Sequence, residues 1–352
     1  MAVFCQLAAP ERYVPCTWDM LTDAEGRQYW LGHFETHIES ALDLALAQLG
    51  GADDGRIAAC RAEFLAGIRR LYDEPDAFGE LNILVLDDFR SRMLRKHGFD
   101  DPYREIKRKE DDEALGLYPE VVAEINALPA SEKMPALLRG VFAGNIFDLG
   151  SKATLEHYHA EGLDFSRTRR SLRPRPWLVD DADAWCSRFE GGRSPYAHIL
   201  FFVDNAGADI VLGCLPLARQ LALDGGRVVL AANDLPCLND ITVAELGRVV
   251  DEAAGADPVL ADLAAGGRIA LIGTGNGTPL IDLRTISDPC NEAARKSDLL
   301  ILEGMGRSVE SNFEAAFRCD CLKIAMVKDK MVAARLGGEV FDLICRFDQA
   351  GR

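Results

Sequence analysis

Short apolar runs of strand length alternate with helical segments through the second half of this 352-residue chain. Strands that alternate with helices form βαβ units, and these build a parallel sheet with right-handed crossovers. Glycine pairs stand directly before two of the runs, where the preceding helices are expected to end. The sequence therefore predicts an α/β fold. The predicted strands are His198–Val203, Arg227–Ala232, Arg268–Ile272, Leu299–Leu302, Ile324–Val327 and Val340–Cys345.

The first half of the chain has the pattern of helices. Its clearest segment is Tyr29–Leu49, in which apolar residues recur mostly at three- and four-residue spacing. The charge run Asp100–Glu113 is expected to form a solvated surface, and the basic, proline-containing stretch Ser166–Asp180 is expected to be a connector. We therefore predict a helical domain with a connector over residues 1–190 and an α/β domain over residues 191–352.

The charge balance limits the classes of partner. With 39 Lys and Arg against 56 Asp and Glu, the formal net charge is −17, which disfavours general binding to nucleic acid or to anionic membrane surfaces. The sequence has no apolar run of the roughly 18 residues that span a bilayer, and no secretion signal at its start. The ten cysteines are scattered and are expected to be reduced. These features predict a cytoplasmic protein that acts on a small molecule, either alone or as an oligomer.

Polar and charged residues follow the predicted strands at one edge of the sheet. In open parallel sheets, ligands bind outside the carboxyl ends of the strands. Five loops rich in Asp, Asn, Glu, Arg and Gly at that edge therefore predict a site. In chain order, these loops carry Asp204-Asn205, Asn233-Asp234 with Asn239-Asp240, Gly273–Thr278, Glu303–Arg307 and Lys328.

Three of these residues suit a divalent cation. Asp204, Asn205 and Asp240 offer hard oxygen ligands, which Mg²⁺ and Mn²⁺ prefer and which cobalt and nickel also accept. An alternative is that Asp204-Asn205 and Asn239-Asp240 only cap the helices that follow them. Asp234 lies in the same loop as Asp240 and could take its place.

Two cations lie at the same edge. Arg307 can form a two-pronged contact with a phosphate, and Lys328 adds a compact positive charge. The alternatives are a surface salt bridge for Arg307 and a solvated strand-end lysine for Lys328. Lys323 is expected at the opposite, amino-terminal end of its strand, where substitution would be nearly silent. The glycines of Gly273–Gly277 fit either a tight turn or backbone amides that face an anion.

A polar cluster also interrupts the helical half of the chain. Gly144–Gly150 contains Asn145 and Asp148 within an otherwise apolar segment. This pattern fits a loop that reaches the sheet edge, and it fits an ordinary turn between helices equally well.

Several motifs together resemble the metal-dependent damage-control phosphatases, once described as domain of unknown function eighty-nine. They are FVDNAGADIVLG, AANDLPCLNDIT, GTGNGTPLIDL, LILEGMGR and AMVKDK. The resemblance covers most of the chain, including YWLGHFETHIE and AGNIFDLG in the helical half. The EGMGR sequence is similar to that of subfamily II, which also occurs fused behind a pantothenate-kinase-like domain in animals. A stand-alone form is expected here.

The resemblance implies a three-layer α/β/α sheet domain beside a helical domain, and a divalent metal ion, either Mn, Mg, Co or Ni. Carried over by motif, the metal ligands are Asp204, Asn205 and Asp240, and the catalytic residues are Asp204 and Lys328. The implied substrate is 4′-phosphopantetheine or its oxidised and damaged forms, in the coenzyme A pathway. Small sugar phosphates are the nearest alternative. The implied substrate contacts are Asn145, Asp148, Glu303, Gly304, Met305, Gly306, Arg307 and Lys328.

Phosphomonoester hydrolysis is consistent with these residue types, because it needs charge neutralised on the phosphoryl oxygens and an attacking group in line. The attacking group is either a water activated by the ion or the Asp204 carboxylate. A different class remains open from the strand pattern alone: a Rossmann-type enzyme that binds NAD or S-adenosylmethionine with Gly273–Gly277 as its cofactor loop. A binding or scaffold role would require the strand-end carboxylates to be helix caps and nothing else.

Overall fold

The structure is a computed structural model that describes residues 1–15, 18–51, 55–146, 165–189 and 191–351. Its centre is a seven-stranded sheet with the order β1-β7-β6-β5-β2-β3-β4. Every neighbouring pair is parallel except β6 and β7, which run antiparallel. The predicted α/β fold with a mostly parallel sheet is confirmed. The strands are β1 Val179–Asp180, β2 His198–Phe202, β3 Arg227–Ala232, β4 Ile269–Gly273, β5 Leu299–Glu303, β6 Asp320–Met326 and β7 Leu343–Asp348.

Helices lie before the sheet in sequence and between its strands. None of those in the described ranges combines the length and the apolar character that a membrane span requires. The helices are α1 Ala24–Gln48, α2 Arg56–Asp73, α3 Ile83–Lys96, α4 Arg104–Ala127, α5 Ala130–Ile146, α6 Phe165–Ser171, α7 Ala182–Cys186, α8 Leu215–Leu223, α9 Val243–Ala256, α10 Pro258–Ala265, α11 Asp288–Lys296 and α12 Lys330–Leu336.

The sheet is buried on both faces, which explains why its central strands are continuously apolar. In β2, Ile199 and Phe201 pack into a core that includes α4, α5, α8 and α9. Leu200 and Phe202 alternate to the opposite face, where they pack against the N-terminal segment and α11. The protein is therefore a three-layer α/β/α structure.

The first three helices form their own core against one end of the sheet. Residues of α1, α2 and α3 pack together with Val309, Ala325, Val327 and Ile344. We call α1, α2 and α3 the helical front. In contrast, α4 and α5 contribute to the core on the sheet itself. The division into domains at residue 190 stays a prediction.

Strand β2 marks the position where the order of the sheet reverses. The chain passes from β2 to β3 on one side, and β5 pairs with β2 on the other side. The connections leaving β2 and β5 therefore diverge, and they open a crevice beyond the carboxyl ends of the two strands. After each strand a short loop leads into a π-helical segment, Asp209–Cys214 and Met305–Glu310 respectively. Such segments are frequent at functional sites.

The charge run Asp100–Glu113 is not simply a solvated surface. Most of it belongs to α4, and Lys107, Glu110 and Asp111 are buried. These side chains lie against the connections that follow β2 and β3. The apolar-periodicity rule misses them, because it assigns charged positions to solvent.

Lys323 lies in the middle of β6, whereas the sequence placed it at the amino-terminal end of a shorter strand. It has no exposed surface. Its Nζ donates to the carbonyl oxygens of Phe313 at 2.7 Å and Ala315 at 2.9 Å, and it pairs with Asp348 at 2.9 Å. The expectation that its substitution is nearly silent is therefore not compatible with its position.

We expect Lys323→Met to lower the free energy of unfolding by at least about 2 kcal/mol, because a buried donor is lost, the Ala315 carbonyl loses this partner, and Phe313 and Asp348 keep only Arg346. Chemical denaturation followed by circular dichroism measures the change. Lys296→Met, on the exposed side of α11, is the control and should stay within about 0.5 kcal/mol of the parent. Equal stability of both variants would show that the Lys323 contacts contribute nothing.

Candidate active site

Arg307 lies at the centre of the crevice between β2 and β5. Its side chain is 1% exposed. One guanidinium nitrogen, Nη2, donates to Asp240 Oδ2 at 2.8 Å, and the other, Nη1, contacts Asp204 Oδ1. Burial lowers the pKa of this guanidinium to about 9, and the two carboxylates favour its charged form. The alternative of a surface salt bridge is therefore wrong: Arg307 is a buried bridge between two strand-end loops.

The loops after β2 and β3 are held together by backbone hydrogen bonds. Ala206 N–H donates to the Asn239 carbonyl at 3.0 Å, and Ile241 N–H donates to the Asp204 carbonyl at 3.0 Å. Asn205 and Asp240 thus face each other as an isolated bridge. The Asn205 amide nitrogen also donates to Asp204 Oδ2 at 2.9 Å. These contacts bring the three predicted metal ligands into one cluster.

The structure separates Asp240 from Asp234. Asp240 is buried, and its Oδ2 also accepts a hydrogen bond from Asn233 Nδ2 at 2.9 Å. Asp234 is exposed, and its carboxylate accepts the N–H of Gly275 in the neighbouring loop. Of these two aspartates, Asp240 is the one that lies beside Asp204.

The strand-end carboxylates do not cap the following helices. Helix α9 begins with a capping box between Thr242 and Glu245, so Asp240 is not its cap. The π-helical segment after β2 has no side-chain cap at its first turn. The alternative interpretation of Asp204, Asn205 and Asp240 as helix caps is therefore wrong.

A second layer of buried polar groups lies beneath this cluster. Glu303, at the end of β5, accepts the Asp204 N–H at 3.0 Å through its Oε2. Its Oε1 accepts a hydrogen bond from the side-chain nitrogen of Asn145 at 2.9 Å, and the same nitrogen donates to Asp209 Oδ2 at 2.7 Å. Asn145 thus connects the end of α5 to the sheet edge. The expected contact is present, but Gly144 and Asn145 belong to a helix and not to the expected loop. Asp148 lies outside the described residues.

Lys328 and the loop Glu303–Arg307 lie at the same edge of the sheet. Lys328 follows β6, the neighbour of β5, and it is buried rather than solvated. Its backbone N–H donates to the sulfur of Met305 at 3.2 Å. Gly306 packs so closely on Pro279 that an added Cβ would lie 2.7 Å from the Pro279 carbonyl oxygen.

Charged residues of α4 support the two strand-end loops. Lys107 Nζ lies 3.0 Å from the Asp101 carboxylate, 2.9 Å from that of Glu245 and 3.4 Å from the Asp240 carbonyl oxygen. Burial opposes its charge, but Asp101 and Glu245 outweigh burial and raise its pKa.

Asp111 supports the other loop, since its Oδ1 accepts the Gly207 N–H at 2.7 Å. Burial raises the pKa of Asp111 to about 6, although the Gly207 N–H and Arg248 favour the ionised form. Sequence reasoning missed both Lys107 and Asp111. A signal was present, because charged residues at positions 107, 110 and 111 share one face of a helix.

Within the described residues, two sets of donor atoms could hold a metal ion. Asp204, Asn205 and Asp240 supply oxygens, and their two carboxylates already converge on one cationic group, Arg307. The second set consists of Asp209, Cys214 and Glu303, whose ligand atoms all lie within 4.8 Å of one another. Sequence reasoning did not identify this second set.

The oxygen set fits a hard divalent cation better. A thiol is a soft ligand and favours softer metals. Burial, together with the charges of Glu303 and Asp209, raises the pKa of Cys214 well above its usual range, which disfavours the thiolate. The carboxylates of both sets already have partners: Asp209 and Glu303 contact Asn145, Asn205 and the Asp204 backbone, and Asp204 and Asp240 contact Arg307, so ligand type rather than vacancy decides between the sets.

Hydrogen bonds to neighbouring segments fix the GTGNG loop after β4. Gly275 N–H donates to Asp234, and Asn276 accepts the Asp234 N–H at 2.9 Å through its carbonyl oxygen. Thr274 N–H donates to the Ala232 carbonyl at 2.9 Å. These amides are already paired, so the loop is a turn in this structure rather than a row of N–H groups that face an anion.

Comparisons with known proteins give one consistent family. A family model described as the damage-control phosphatase ARMT1-like domain matches residues 36–344. A damage-control phosphatase of Arabidopsis thaliana is 37% identical over 323 residues, which are 91% of this chain and 87% of that protein. The 4′-phosphopantetheine phosphatase of Mus musculus is 32% identical over 394 residues, 97% of this chain and 48% of that protein.

A solved structure has the same fold. The crystal structure of a DUF89 family protein from Pyrococcus horikoshii superposes with a TM-score of 0.64 at 18% identity, over 90% of this chain and 96% of that one. The chain spans less than half the length of several curated relatives that it matches: 41% and 42% of two plant proteins and 48% of the mouse phosphatase.

The backbone of Gly304 is needed to seat Asp204. Gly304 has φ +95°, and a Cβ there would overlap the Asp204 carboxylate. We expect Gly304→Ala to be destabilised by at least about 2 kcal/mol, since a core overlap costs about 1–3 kcal/mol and the Gly304 backbone, at φ +95° and ψ +151°, lies in a region almost confined to glycine that costs about 1–3 kcal/mol more. Thermal and chemical denaturation measure the loss.

Gly337→Ala is the matched control. Gly337 has φ +71° at the end of α12, and an added Cβ would meet nothing within 4 Å. This variant reports the backbone cost alone, roughly 1 kcal/mol. If the two variants lost equal stability, the close approach of Gly304 to Asp204 would have no energetic consequence.

Proposed function

This chain belongs to the damage-control phosphatase ARMT1-like family, and from that premise we propose that it is a divalent-metal-dependent phosphatase of small phosphomonoesters. The observation that carries the proposal is the convergence of two buried carboxylates on one cationic group in the crevice between β2 and β5. An acid-lined crevice that also presents Arg307 and Lys328 can bind a cation and a phosphate side by side.

We assign the metal to Asp204, Asn205 and Asp240. Their oxygens suit Mn²⁺, Mg²⁺, Co²⁺ or Ni²⁺. When bound there, such an ion would neutralise charge on the phosphoryl oxygens. The Asn205 amide nitrogen donates to Asp204 Oδ2, so its carbonyl oxygen is the amide atom available as a ligand. Glu303 and Asn145 lie beneath these ligands. Glu303 accepts the Asp204 N–H, and Asn145 donates to Asp209.

We assign the phosphate to the cations of the same edge. Lys328 and Arg307 follow neighbouring strands, and both are buried, so their charges act in a medium of low dielectric constant. Arg307 contacts the proposed metal ligands directly, and its guanidinium has five N–H donors with which to reach a phosphate oxygen.

For the substrate we propose 4′-phosphopantetheine or its oxidised and damaged forms. The name of the mouse relative supports this substrate class, and so does the EGMGR sequence, by which we place the chain in subfamily II. We also propose that it works in the cytoplasm, since a net charge of −17 suits a soluble metabolite better than nucleic acid or an anionic membrane surface. A sugar phosphate is the second candidate.

Metal removal tests the proposed activity. Protein stripped with EDTA should lose phosphate release from p-nitrophenyl phosphate and from 4′-phosphopantetheine, and added Mn²⁺, Mg²⁺, Co²⁺ or Ni²⁺ should restore it. Asp240→Asn should raise the metal concentration needed for half-maximal activity by about tenfold or more, the scale of losing a ligand contact.

Asp234→Asn is the matched control for Asp240→Asn, because Asp234 lies in the same loop and contacts Gly275 instead of Arg307. It should leave the metal requirement nearly unchanged. Release that is indifferent to EDTA would remove the metal from the proposal. A larger defect in Asp234→Asn would move the third ligand to that residue.

Lys328→Ala should lower kcat/KM for phosphomonoesters by roughly 10²-fold, the scale of losing one preorganised charge-stabilising group. A loss in kcat as well as in KM is expected if the contact strengthens in the transition state. Steady-state kinetics measure both constants. Lys109→Ala, on the exposed face of α4, provides the control, and a normal kcat/KM in Lys328→Ala would exclude the residue from catalysis.

A further inference from the structure

A cluster of polar side chains lies between the helical front and the segments that carry Arg307 and Lys328. It consists of Tyr29, His33, Arg90, Glu310 and Asp329, and we call it the polar recess. Tyr29 and His33 come from α1, and Arg90 comes from α3. Glu310 ends the π-helical segment that contains Arg307, and Asp329 follows Lys328 directly.

Contacts among these residues join the elements. The Tyr29 hydroxyl donates to Asp329 Oδ2 at 2.6 Å, and the rings of Tyr29 and His33 lie 6.3 Å apart. The charges of Asp329 and Arg90 both act on His33, and the charge of Asp329 acts on Glu310. The cluster is therefore a single electrostatic unit made from four parts of the chain.

Exposure shows that the cluster opens to solvent. Glu310 and Arg90 are buried and form its floor. Tyr29 and Asp329 are half-buried, and His33 is exposed at the rim. Although His33 is exposed, surrounding protein atoms lower its pKa by desolvation. The cluster therefore runs from a buried floor to an accessible rim.

The polar recess is close to electrically neutral. Arg90 pairs with Asp87 in the protein interior, and Lys330 Nζ lies 5.1 Å from the centre of the Tyr29 ring, next to Asp329. Burial, with the charges of Asp329 and Asp87, raises the pKa of Glu310 to about 8, so its carboxyl group is largely protonated at neutral pH. Neutral phenol, imidazole and carboxyl groups offer both donors and acceptors without an excess of charge.

We infer that the polar recess is the subsite for the part of the substrate beyond its phosphate ester, and that it takes an uncharged chain bearing hydroxyl and amide groups. This inference rests on the proposed phosphatase activity. The position of the recess supports the assignment. Glu310 lies in the same π-helical segment as Arg307, and Asp329 follows Lys328 directly, and these two cations are the residues that we propose to contact phosphate. At the accessible side, the Tyr29 hydroxyl and the His33 imidazole offer hydrogen-bonding groups to a hydroxyl or amide group of a ligand.

Two substrates separate this subsite from the reaction centre. 4′-Phosphopantetheine carries a hydroxyl and two amides beyond the phosphate ester, whereas p-nitrophenyl phosphate carries only an aryl ring. We expect Tyr29→Phe and His33→Ala to raise KM for 4′-phosphopantetheine by about 5- to 10-fold, the scale of one hydrogen bond. Their kcat/KM for p-nitrophenyl phosphate should stay within about twofold of the parent.

Two matched variants control for changes elsewhere in the helical front. Tyr72→Phe removes an exposed hydroxyl that interacts with the Glu35 carboxylate. His97→Ala removes an imidazole that contacts Glu63 at 3.0 Å. Both should leave KM unchanged for both substrates. Binding of pantetheine, which has the chain and no phosphate, provides a readout independent of turnover: isothermal calorimetry should show weaker binding to Tyr29→Phe than to the parent or to Tyr72→Phe.

The outcomes distinguish the two proposals. Equal losses on both substrates, unchanged KM for 4′-phosphopantetheine, or pantetheine binding that is insensitive to Tyr29→Phe would overturn the subsite while leaving the phosphatase intact. A parent protein that releases phosphate from neither substrate with any of the four metals would overturn the proposed function, and the subsite with it.

Discussion

A single guanidinium inside the protein holds two carboxylates that would otherwise repel each other. Arg307 contacts Asp204 and Asp240 at once, so the loops after β2, β3 and β5 are fixed by one side chain. Removing one partner from such a buried arrangement leaves an uncompensated charge, which is far more costly than losing a surface pair. Beside this contact, Gly304 fits closely against Asp204 and Gly306 packs on Pro279.

Helices α4 and α5, which precede the sheet in sequence, contribute side chains to the site. Lys107 and Asp111 of α4 hold the backbone of the loops after β3 and β2, and Asn145 of α5 joins two carboxylates beneath them. In this acidic protein, the buried cations Lys107 and Arg307 therefore lie where carboxylates converge. The remaining excess of negative charge is left to exposed surfaces, where solvent screens it.

The sequence predicted much of the sheet because its central strands are short, apolar and buried on both faces. It predicted the cluster of Asp204, Asn205 and Asp240 because the carboxyl ends of parallel strands meet at one edge of the sheet. It did not predict the antiparallel direction of β7 or the position of Lys323, since an apolar run carries no sign of its direction and a lysine is expected in solvent. The burial of Lys107 and Asp111 was also missed: their charges share one helix face, but the loops that they contact lie more than ninety residues away in the chain.

The two π-helical segments beyond β2 and β5 have a consequence for insertions and deletions. A π-helical turn contains about one residue more than an α-helical turn, so it sets the rotational phase between the strand end and the helix or loop that follows. Each residue of a helix turns the chain by about 100°. Losing one residue from Met305–Glu310 would therefore swing the side chains on one side of the deletion away from the crevice, even if every hydrogen bond of the turn were remade. Such buried segments cannot absorb a change in length, and in this they differ from surface loops, which accept added residues at small entropic cost.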